Sequence, residues 1–404
     1  MSVSGKSYGM HGVAAAIRLR EAERDVYNSA ALNDWQVPAG DRAALKSAVE
    51  AASGGRNTVL YSGEGVPGIY VRFPRDMSLL PADIRAECGL SGADHPAFVV
   101  DGSVKSEVYI GKYQGQVVDI TTGDLVTGPA GSTSRRMMCL PELDPVADID
   151  FDDSVSIAAN NGSGFHLVTN AEWAWIYLLT LAAGYEPRGN TDTGMDYIRG
   201  EERCRINTIT GSGDRRCMTG TGPPAWTHDA SPYGVYDLCG NVWEWCGGLR
   251  WVDSEVHIIP DNNAAGIADQ SSGSTDWRAV VAADGTLVSP EGAAGSSTVK
   301  VDNDGSSPRL SNVRNNTGYH SQQFHSLAAD VAMPARAKAL GLAPLTAATP
   351  SRGRHYLRSD NGEFLPRRGA HWVVGASAGV AALIGHAGRG GRSGNIGARP
   401  AFVS

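Results

Sequence analysis

Two carboxylates flank a tight turn in the middle of the chain, and their type and spacing could bind a cation. Asp237 and Glu244 lie in the run YGVYDLCGNVWEWCGG, on either side of Gly240. Gly240 permits a backbone conformation that a Cβ atom would resist. Hard carboxylate oxygens of this kind suit calcium. The alternative is that Asp237 caps the turn while Glu244 pairs with an arginine such as Arg250 or Arg399.

The C-terminal segment, residues 367–404, has a different character, because it offers little that could catalyse a reaction. It contains no Asp, Glu, Cys, Lys or Tyr, and its two histidines have no acidic partner within the segment. A catalytic segment would be expected to hold a nucleophile, a base or a paired carboxylate. Bulky or conformationally special residues instead alternate with short clusters of unrelated residues, which indicates a displayed surface on a fixed frame. The frame residues are Trp372, Gly375, Gly379, Leu383, Ile396, Gly397, Arg399 and Pro400. The candidate ligand-binding residues are His371, Val373, Val374, Ser377, Ile384, His386, Gly388, Gly390, Gly391 and Ser393.

This alternation resembles the variable region of proteins that are diversified by diversity-generating retroelements. The matching runs are R-G-x-x-W-x-x-G from Arg368 to Gly375, A-G-V at residues 378–380 and I-G-A-R-P from Ile396 to Pro400. The resemblance implies that a retroelement rewrites adenine-templated codons and that the product displays the altered side chains on a C-type lectin fold. The alternative is an ordinary Gly-rich terminal strand and loop, because Gly and Ser clusters usually form turns.

A second resemblance covers the middle of the chain. The run T-x-A-E-W at residues 169–173, on a predicted helix, and G-N-V-W-E-W at residues 240–245 resemble the formylglycine-generating-enzyme subgroup of C-type lectin folds. The resemblance implies an α+β fold. It also implies a structural calcium site made by Asp237, the backbone carbonyls of Gly240 and Val242, and Glu244. No other cofactor is expected.

The same resemblance bears on catalysis. Formylglycine-generating enzymes oxidise a substrate cysteine with a cysteine pair in their C-terminal segment, and this chain has no cysteine after Cys246. Cys239 and Cys246 lie in the strand motif and are expected to be buried thiols. The six cysteines include no C-x-x-C pair and are too few for a disulfide scaffold. We therefore expect no enzymatic activity, and an oxidase of this subgroup is a distant alternative.

Composition excludes further classes of function. The net charge of −8 argues against a general nucleic-acid binder, which needs a basic surface to neutralise phosphates. No apolar run reaches the roughly 20 residues that cross a bilayer, and no secretory signal is visible at the N-terminus. We expect neither a nucleic-acid partner nor insertion into a membrane.

The chain is predicted to contain two regions. Residues 1–78 hold two helical runs, Val13–Val26 and Asp41–Ala52, and a hairpin made by Thr58–Tyr61 and Gly68–Phe73. This accessory region is too small to fold alone and is expected to dock on the main domain or to support a homo-oligomer. Residues 79–404 are predicted to form the lectin domain, with a surface insertion at about 252–354 and the variable region at about 367–404.

Taken together, these features predict a non-enzymatic protein that binds an unidentified protein or cell-surface ligand. The resemblance to phage-encoded variable proteins favours a tail-tip adhesin on a virion. The alternative is a cellular variable protein encoded by a prophage or a chromosome. The expected location is therefore the virion tail or the cytoplasm.

Overall fold

The computed structural model describes residues 10–126, 132–207, 215–346 and 351–404. Over these ranges the chain combines helices with many short strands, so the predicted α+β class is confirmed. The helices are α1 (Met10–Ala31), α2 (Ala39–Ser53), α3 (Ala82–Glu87), α4 (Phe151–Ala159), α5 (Asn170–Ala182) and α6 (Ala335–Ala339). The strands are β1 (Asn57–Tyr61), β2 (Pro67–Pro74), β3 (Val99–Val100), β4 (Ser103–Val104), β5 (Glu107–Gly111), β6 (Gln116–Asp119), β7 (Asp124–Val126), β8 (Arg135–Met138), β9 (Phe165–Leu167), β10 (Trp243–Trp245), β11 (Leu249–Val252), β12 (Glu255–Ile258), β13 (Arg278–Val280), β14 (Leu287–Val288), β15 (Lys300–Asn303), β16 (Pro308–Ser311), β17 (Tyr319–Gln323), β18 (Ala328–Ala329), β19 (Arg354–Arg358), β20 (Glu363–Phe364), β21 (Arg367–Arg368), β22 (Leu383–Gly385), β23 (Ile396–Gly397) and β24 (Pro400–Phe402).

The N-terminal helices and hairpin are continuous with the rest of the fold. α1 and α2 lie where the two helices were predicted, and β1 and β2 form the predicted hairpin. β2 also pairs antiparallel with β5, with Tyr70 opposite Gly111. Val26 and Val49 of the two helices are fully buried in one cluster with Ile69 of β2. β2 and β5, which lie on either side of the predicted boundary at residue 78, therefore share hydrogen bonds in one sheet.

The end of the chain completes this same sheet. The strand order is β1-β2-β5-β24-β9, so the last strand lies between β5 and β9. Ala401 is opposite both Ile110 and His166. Central strands are held by backbone hydrogen bonds on both sides. The C-terminal segment is consequently fixed at its distal end within the body of the fold.

Helix α5 carries the predicted T-x-A-E-W motif and packs under the C-terminal segment. Thr169 caps the helix by accepting a hydrogen bond from the backbone N–H of Glu172, whose side chain accepts in return from the Thr169 N–H. The Trp173 indole, fully buried, donates to the backbone carbonyl of Val380 at 2.8 Å. The helix therefore supports residues 367–404 from the core side.

A six-stranded sheet positions most of the C-terminal segment. Its order is β17-β19-β22-β21-β10-β23. Within it, β21 and β22 come from the C-terminal segment and pair antiparallel, with Arg367 opposite Ile384. β10, from the G-N-V-W-E-W motif, pairs with β21 on one side and with β23 on the other. The two motifs that the sequence singled out thus lie side by side in one sheet.

Residues 252–354 were predicted as a surface insertion, and over the part that the structure describes, 252–346 and 351–354, they contribute most strands of a further sheet. Its strands run in the order β14-β13-β12-β15-β16-β18, and β11 joins β12 to β20. Val256, Val301 and Leu310 are almost fully buried and belong to one core cluster with Trp251. The apolar side chains between its turns face the core. β17 of this region pairs with β19, and β19 pairs with β22 of the C-terminal segment.

The cysteines differ from expectation in one respect. Cys204 and Cys217 form a disulfide across 13 residues of sequence. Cys88, Cys139, Cys239 and Cys246 are free and buried, as predicted for thiols in the core. No helix in the described ranges is long and apolar enough to span a membrane.

Candidate functional site

Side chains of the six-stranded sheet point to two opposite faces. Residues opposite one another in paired strands point to the same face, and successive residues point to opposite faces. One row across the sheet therefore runs from Tyr356 through Ile384 and Arg367 to Trp245. We call the face that carries this row the outer face. The next row, which includes Arg368 and Glu244, points to the opposite face and into the core.

The candidate ligand-binding residues surround the outer face, and nine of the ten reach solvent. Ile384 is the buried exception at 8% exposure, and its neighbours in the row, Arg367 and Trp245, are more buried still. His371 lies over Trp243, with ring centroids 6.4 Å apart, and His386 lies against Tyr319 at 5.1 Å. The residues that are exposed or half-buried are His371, Val373, Val374, Ser377, His386, Gly388, Gly390, Gly391 and Ser393.

Glycines of the segment divide into those that need to be glycine and those that do not. At Gly379 an added Cβ would lie 2.3 Å from the Arg352 carbonyl oxygen, and at Gly397 it would lie 2.5 Å from that of Val146. At the candidate positions the contrast is clear. A Cβ at Gly390 meets nothing within 4 Å, and one at Gly388 makes an ordinary contact of 3.4 Å. Gly391 is tighter, because the Ala387 Cβ would lie at 2.9 Å.

The loop that carries residues 386–393 is fastened to the start of α4. The backbone N–H groups of Asp148 and Phe151 donate to the carbonyls of Ser393 and Arg389, at 2.9 and 3.1 Å. Arg389 pairs with Asp152 at 2.7 Å and Glu363 at 2.9 Å, and Arg392 pairs with Asp150. Sequence analysis did not identify these two arginines, because their acidic partners lie far away in the chain.

The predicted frame residues are buried, except Gly375, which is half-buried. Trp372 is 8% exposed, and Trp243 beside it in the fold is 4% exposed. Arg399 is fully buried and donates to the backbone carbonyls of Gly111 and Tyr236, each at 2.9 Å. These contacts join the end of the C-terminal segment to strand β5 and to the turn before β10.

Two of the candidate calcium ligands, the Val242 carbonyl and the Glu244 carboxylate, contact an amide group of the protein itself. The Gln114 side-chain nitrogen donates to the Glu244 carboxylate at 2.9 Å and to the carbonyls of Asp237 and Val242, each at 3.2 Å. The Asp237 carboxylate instead accepts from the Gly220 N–H at 3.1 Å. The position between these oxygens is therefore filled by a hydrogen-bond donor of Gln114.

Glu244 is also fully paired with Arg399. Two parallel hydrogen bonds of 2.7 Å join the guanidinium to the two carboxylate oxygens. A divalent cation at Glu244 would lie beside this buried positive charge, which is unfavourable. Burial raises the pKa of Asp237 to about 6, so forming its charged state costs more here than in water. The predicted set of Asp237, Gly240, Val242 and Glu244 does not fit a calcium ion, and the alternative pairing of Glu244 with Arg399 is present.

The thiols offer no reactive group. Burial raises the pKa of Cys239 to about 12, and it also raises the pKa of Cys246 above its usual value. The thiolate is the nucleophile and the metal ligand in cysteine chemistry, so both residues are inert at neutral pH. Among the described residues, no cluster of three or more His, Cys, Asp or Glu side chains could hold a metal ion.

Charges beneath the outer face were not anticipated from the sequence. Arg367 is 4% exposed, and burial lowers its pKa to about 10, so it stays charged at neutral pH. Burial, together with the charge of Arg367, lowers the pKa of His371 to about 4. Burial, Arg367 and Arg358 lower the pKa of His386 to about 4 as well. Both histidines are therefore neutral at neutral pH.

Comparison with known proteins locates part of this fold in a family. Residues 96–270 match the family described as Sulfatase-modifying factor enzyme 1-like domain. A formylglycine-generating enzyme from Thermomonospora curvata is 32% identical over 134 residues, which is 32% of this chain. The chain spans 39% of the length of that curated relative. Over the matched residues, the predicted fold of the formylglycine-generating-enzyme type is confirmed.

The solved structure of variable protein 1 from Treponema denticola is similar to this chain over most of its length. It covers 86% of this chain and 99% of its own chain, at 14% sequence identity and a TM-score of 0.35. Because the TM-score is low, this likeness supports no inference about the present chain.

Proposed function

We propose that this protein is a non-enzymatic binding protein whose ligand contacts the candidate residues around the outer face. The observation that carries the proposal is the division of the C-terminal segment into replaceable and irreplaceable positions. Gly388 and Gly390 have room for a side chain, whereas Gly379 and Gly397 have none. A binding surface that changes its side chains without losing its fold requires this division.

The energetic argument concerns marginal stability. Substitutions at exposed positions usually change the free energy of unfolding by less than about 0.5 kcal/mol, whereas changes in a packed core cost several times more. A domain with a stability of about 5–15 kcal/mol tolerates ten substitutions of the first kind and few of the second. Four of the ten candidate residues are exposed and five are half-buried, which supports a surface that can vary.

The proposal includes the source of variation. The runs at residues 368–375, 378–380 and 396–400 resemble the fixed parts of a retroelement variable region. We expect sequence differences among sibling copies from one population to cluster at the ten candidate positions, while Trp372, Gly379, Ile396 and Arg399 stay constant. A near-identical template copy of this coding segment beside a reverse transcriptase gene would be the genomic counterpart. Differences spread evenly over the chain would contradict diversification.

We propose that the protein is part of a virion, in which it serves as a tail-tip adhesin. The alternative is a cellular variable protein, located in the cytoplasm.

Affinity for a protein or cell-surface ligand would be weak per site, because Val373, Val374 and Ile384 are small apolar groups. A homo-oligomer would raise the overall affinity through multivalency. Mass spectrometry of purified virions distinguishes a virion protein from a cellular protein. Light scattering of the purified protein measures the number of subunits.

A second candidate function follows from the similarity to a formylglycine-generating enzyme, namely oxidation of a peptide cysteine. The state of Cys239 and Cys246 opposes it, because both thiols are buried and protonated. The test is an assay for copper-dependent oxidation of a cysteine-containing peptide by the wild type and by Cys239→Ser and Cys246→Ser. We expect no product in any sample. Activity in the wild type that either substitution abolishes would replace the binding proposal.

A further inference from the structure

Two consecutive arginines in β21 have opposite surroundings. Arg368 points into the core and donates to the Asn170 side chain at 2.7 Å and to the carbonyls of Leu340 and Gly341, each at 3.3 Å. Arg367 points to the outer face and is equally buried, at 4% exposure. Its Nε and Nη2 atoms have no hydrogen-bond partner within the described part of the chain.

The unpaired guanidinium is costly for the fold. A buried donor without a partner gives up the hydrogen bonds that it makes to water in the unfolded chain, and the loss is larger when the group is charged. The aromatic ring of Trp245, 5.0 Å away, offers a cation–π contact but accepts no N–H in the plane of the guanidinium. Over the described ranges, no Asp or Glu forms an ion pair with Arg367, whereas Arg389 and Arg392 nearby each have one. Energetically costly groups of this kind concentrate at functional sites.

Arg367 is close to the candidate residues. Ile384 is directly opposite it in β22, and its charge acts on both His371 and His386. The Nδ1 atoms of these two histidines are also buried and without a partner in the described part of the chain. Either ring can therefore turn aside without breaking a hydrogen bond at that atom. Unpartnered nitrogens from three side chains thus lie under one surface.

We propose that Arg367 is a constant anchor that binds a carboxylate of the ligand, presented by an Asp or Glu side chain of a protein partner. This inference rests on the proposed display function and names the chemistry common to its ligands. The planar fork of a guanidinium matches a carboxylate with two parallel hydrogen bonds. The buried Nε and Nη2 atoms of Arg367 are the unpartnered donors that would make them once the histidine rings turn aside. The surrounding variable residues then select among partners that share this acidic group.

The surroundings favour a protein over a sugar acid. Trp243 and Trp245 are 4% and 0% exposed, so they offer no open ring on which a sugar could stack. The rim contains apolar Val373, which is 56% exposed, together with half-buried Val374. A buried arginine surrounded by apolar side chains is the usual composition of a hot spot between proteins.

The experiment measures the Arg367 side-chain Nε–H resonance in 15N-labelled protein, assigned by its loss in Arg367→Met. The probes are the α-amide of N-acetylglutamate, its neutral glutamine counterpart, methyl glucuronide and sulfate, each at matched ionic strength. We expect a saturable shift with the glutamate probe and none with the glutamine probe. Arg309→Gln, which alters a remote arginine paired with Asp304 and Asp330, should leave the response unchanged.

Thermal melts of two methionine variants provide a second readout. Arg367→Met should melt at or above the wild-type temperature, because an unpaired buried charge is removed, while Arg368→Met should melt lower. Absence of a saturable shift, an equal response of other resonances to the probe in Arg367→Met, or tighter binding of sulfate or glucuronide would overturn the assignment. So would a loss of stability in Arg367→Met as large as in Arg368→Met. Any of these results leaves the tolerance of the ten candidate positions to substitution untouched, so the two proposals fail separately.

Discussion

At the scale of single residues, the amide of Gln114 lies where the family resemblance placed a calcium ion. It donates to the Glu244 carboxylate and to the carbonyls of Asp237 and Val242. Arg399 supplies the positive charge that the ion would have brought. Of the predicted ligand atoms, the Val242 carbonyl and the Glu244 carboxylate accept from this amide, whereas the Asp237 carboxylate accepts from Gly220 instead. The sequence could not indicate Gln114 or Arg399 as partners, because both are distant from the motif in the chain.

We expect calcium to have no effect on the melting temperature of the wild type, whether chelator or excess calcium is present. Gln114→Ala should lower the free energy of unfolding by about 2–4 kcal/mol, because it leaves a buried carboxylate oxygen and two carbonyls short of a donor. Gln36→Ala is the matched control, since the side chain of Gln36 makes a single, half-buried hydrogen bond to Ile120. A calcium-dependent rise in melting temperature that Glu244→Gln abolishes would restore the metal.

The two outer-face histidines give a pH prediction. Their pKa values in the folded protein, about 4, lie below the ordinary value of 6.5, so the unfolded chain binds more protons between these pH values. Their contribution to stability is thus complete above pH 6.5 and is lost as the pH falls toward 4. The double variant His371→Gln and His386→Gln should show a shallower decline in denaturant unfolding over this range. His325→Gln, at an exposed site, should not, and an unchanged decline in the double variant would refute the prediction.

At the scale of elements, the frame glycines are set by neighbouring backbone and the candidate glycines are not. We expect Gly388→Ser and Gly390→Ser to change the free energy of unfolding by less than about 0.5 kcal/mol. Gly379→Ala and Gly397→Ala should cost about 2 kcal/mol or more, because the added Cβ meets a carbonyl oxygen at 2.3 and 2.5 Å. Chemical denaturation measures all four, and equal losses in both pairs would contradict the division.

Local elements were predictable where the signal is contained in a short stretch of sequence. The capping box at Thr169 and the hairpin of β1 and β2 follow from residues a few positions apart. Pairing between distant strands was not predictable. In residues 252–354, the strands are too short for their sequence pattern to indicate which of them pair. The pairing of β2 with β5 was not predicted for a related reason, because the sequence of a strand does not show which other strand it pairs with.

At the scale of the whole molecule, the C-terminal segment is held at several separate places. β21 and β22 fix its start in the six-stranded sheet, β23 pairs with β10, and β24 is central in the N-terminal sheet. Between these anchors, the arginines Arg389 and Arg392 hold the intervening loop against α4. Strand pairing and these ion pairs therefore fix the backbone of the segment, and its exposed side chains contribute little to that order. The resemblance predicted a display surface, but the ion pairs that stabilise it could be found only in three dimensions.

The most direct test of this account replaces the ten candidate residues together. A library randomised at His371, Val373, Val374, Ser377, Ile384, His386, Gly388, Gly390, Gly391 and Ser393 would be displayed and sorted for protease resistance, beside a matched library randomised at ten buried frame and core positions. We predict that most members of the first library remain folded and that most members of the second do not. If the first library unfolds as completely as the second, the C-terminal segment is an ordinary part of the core and the display function is excluded.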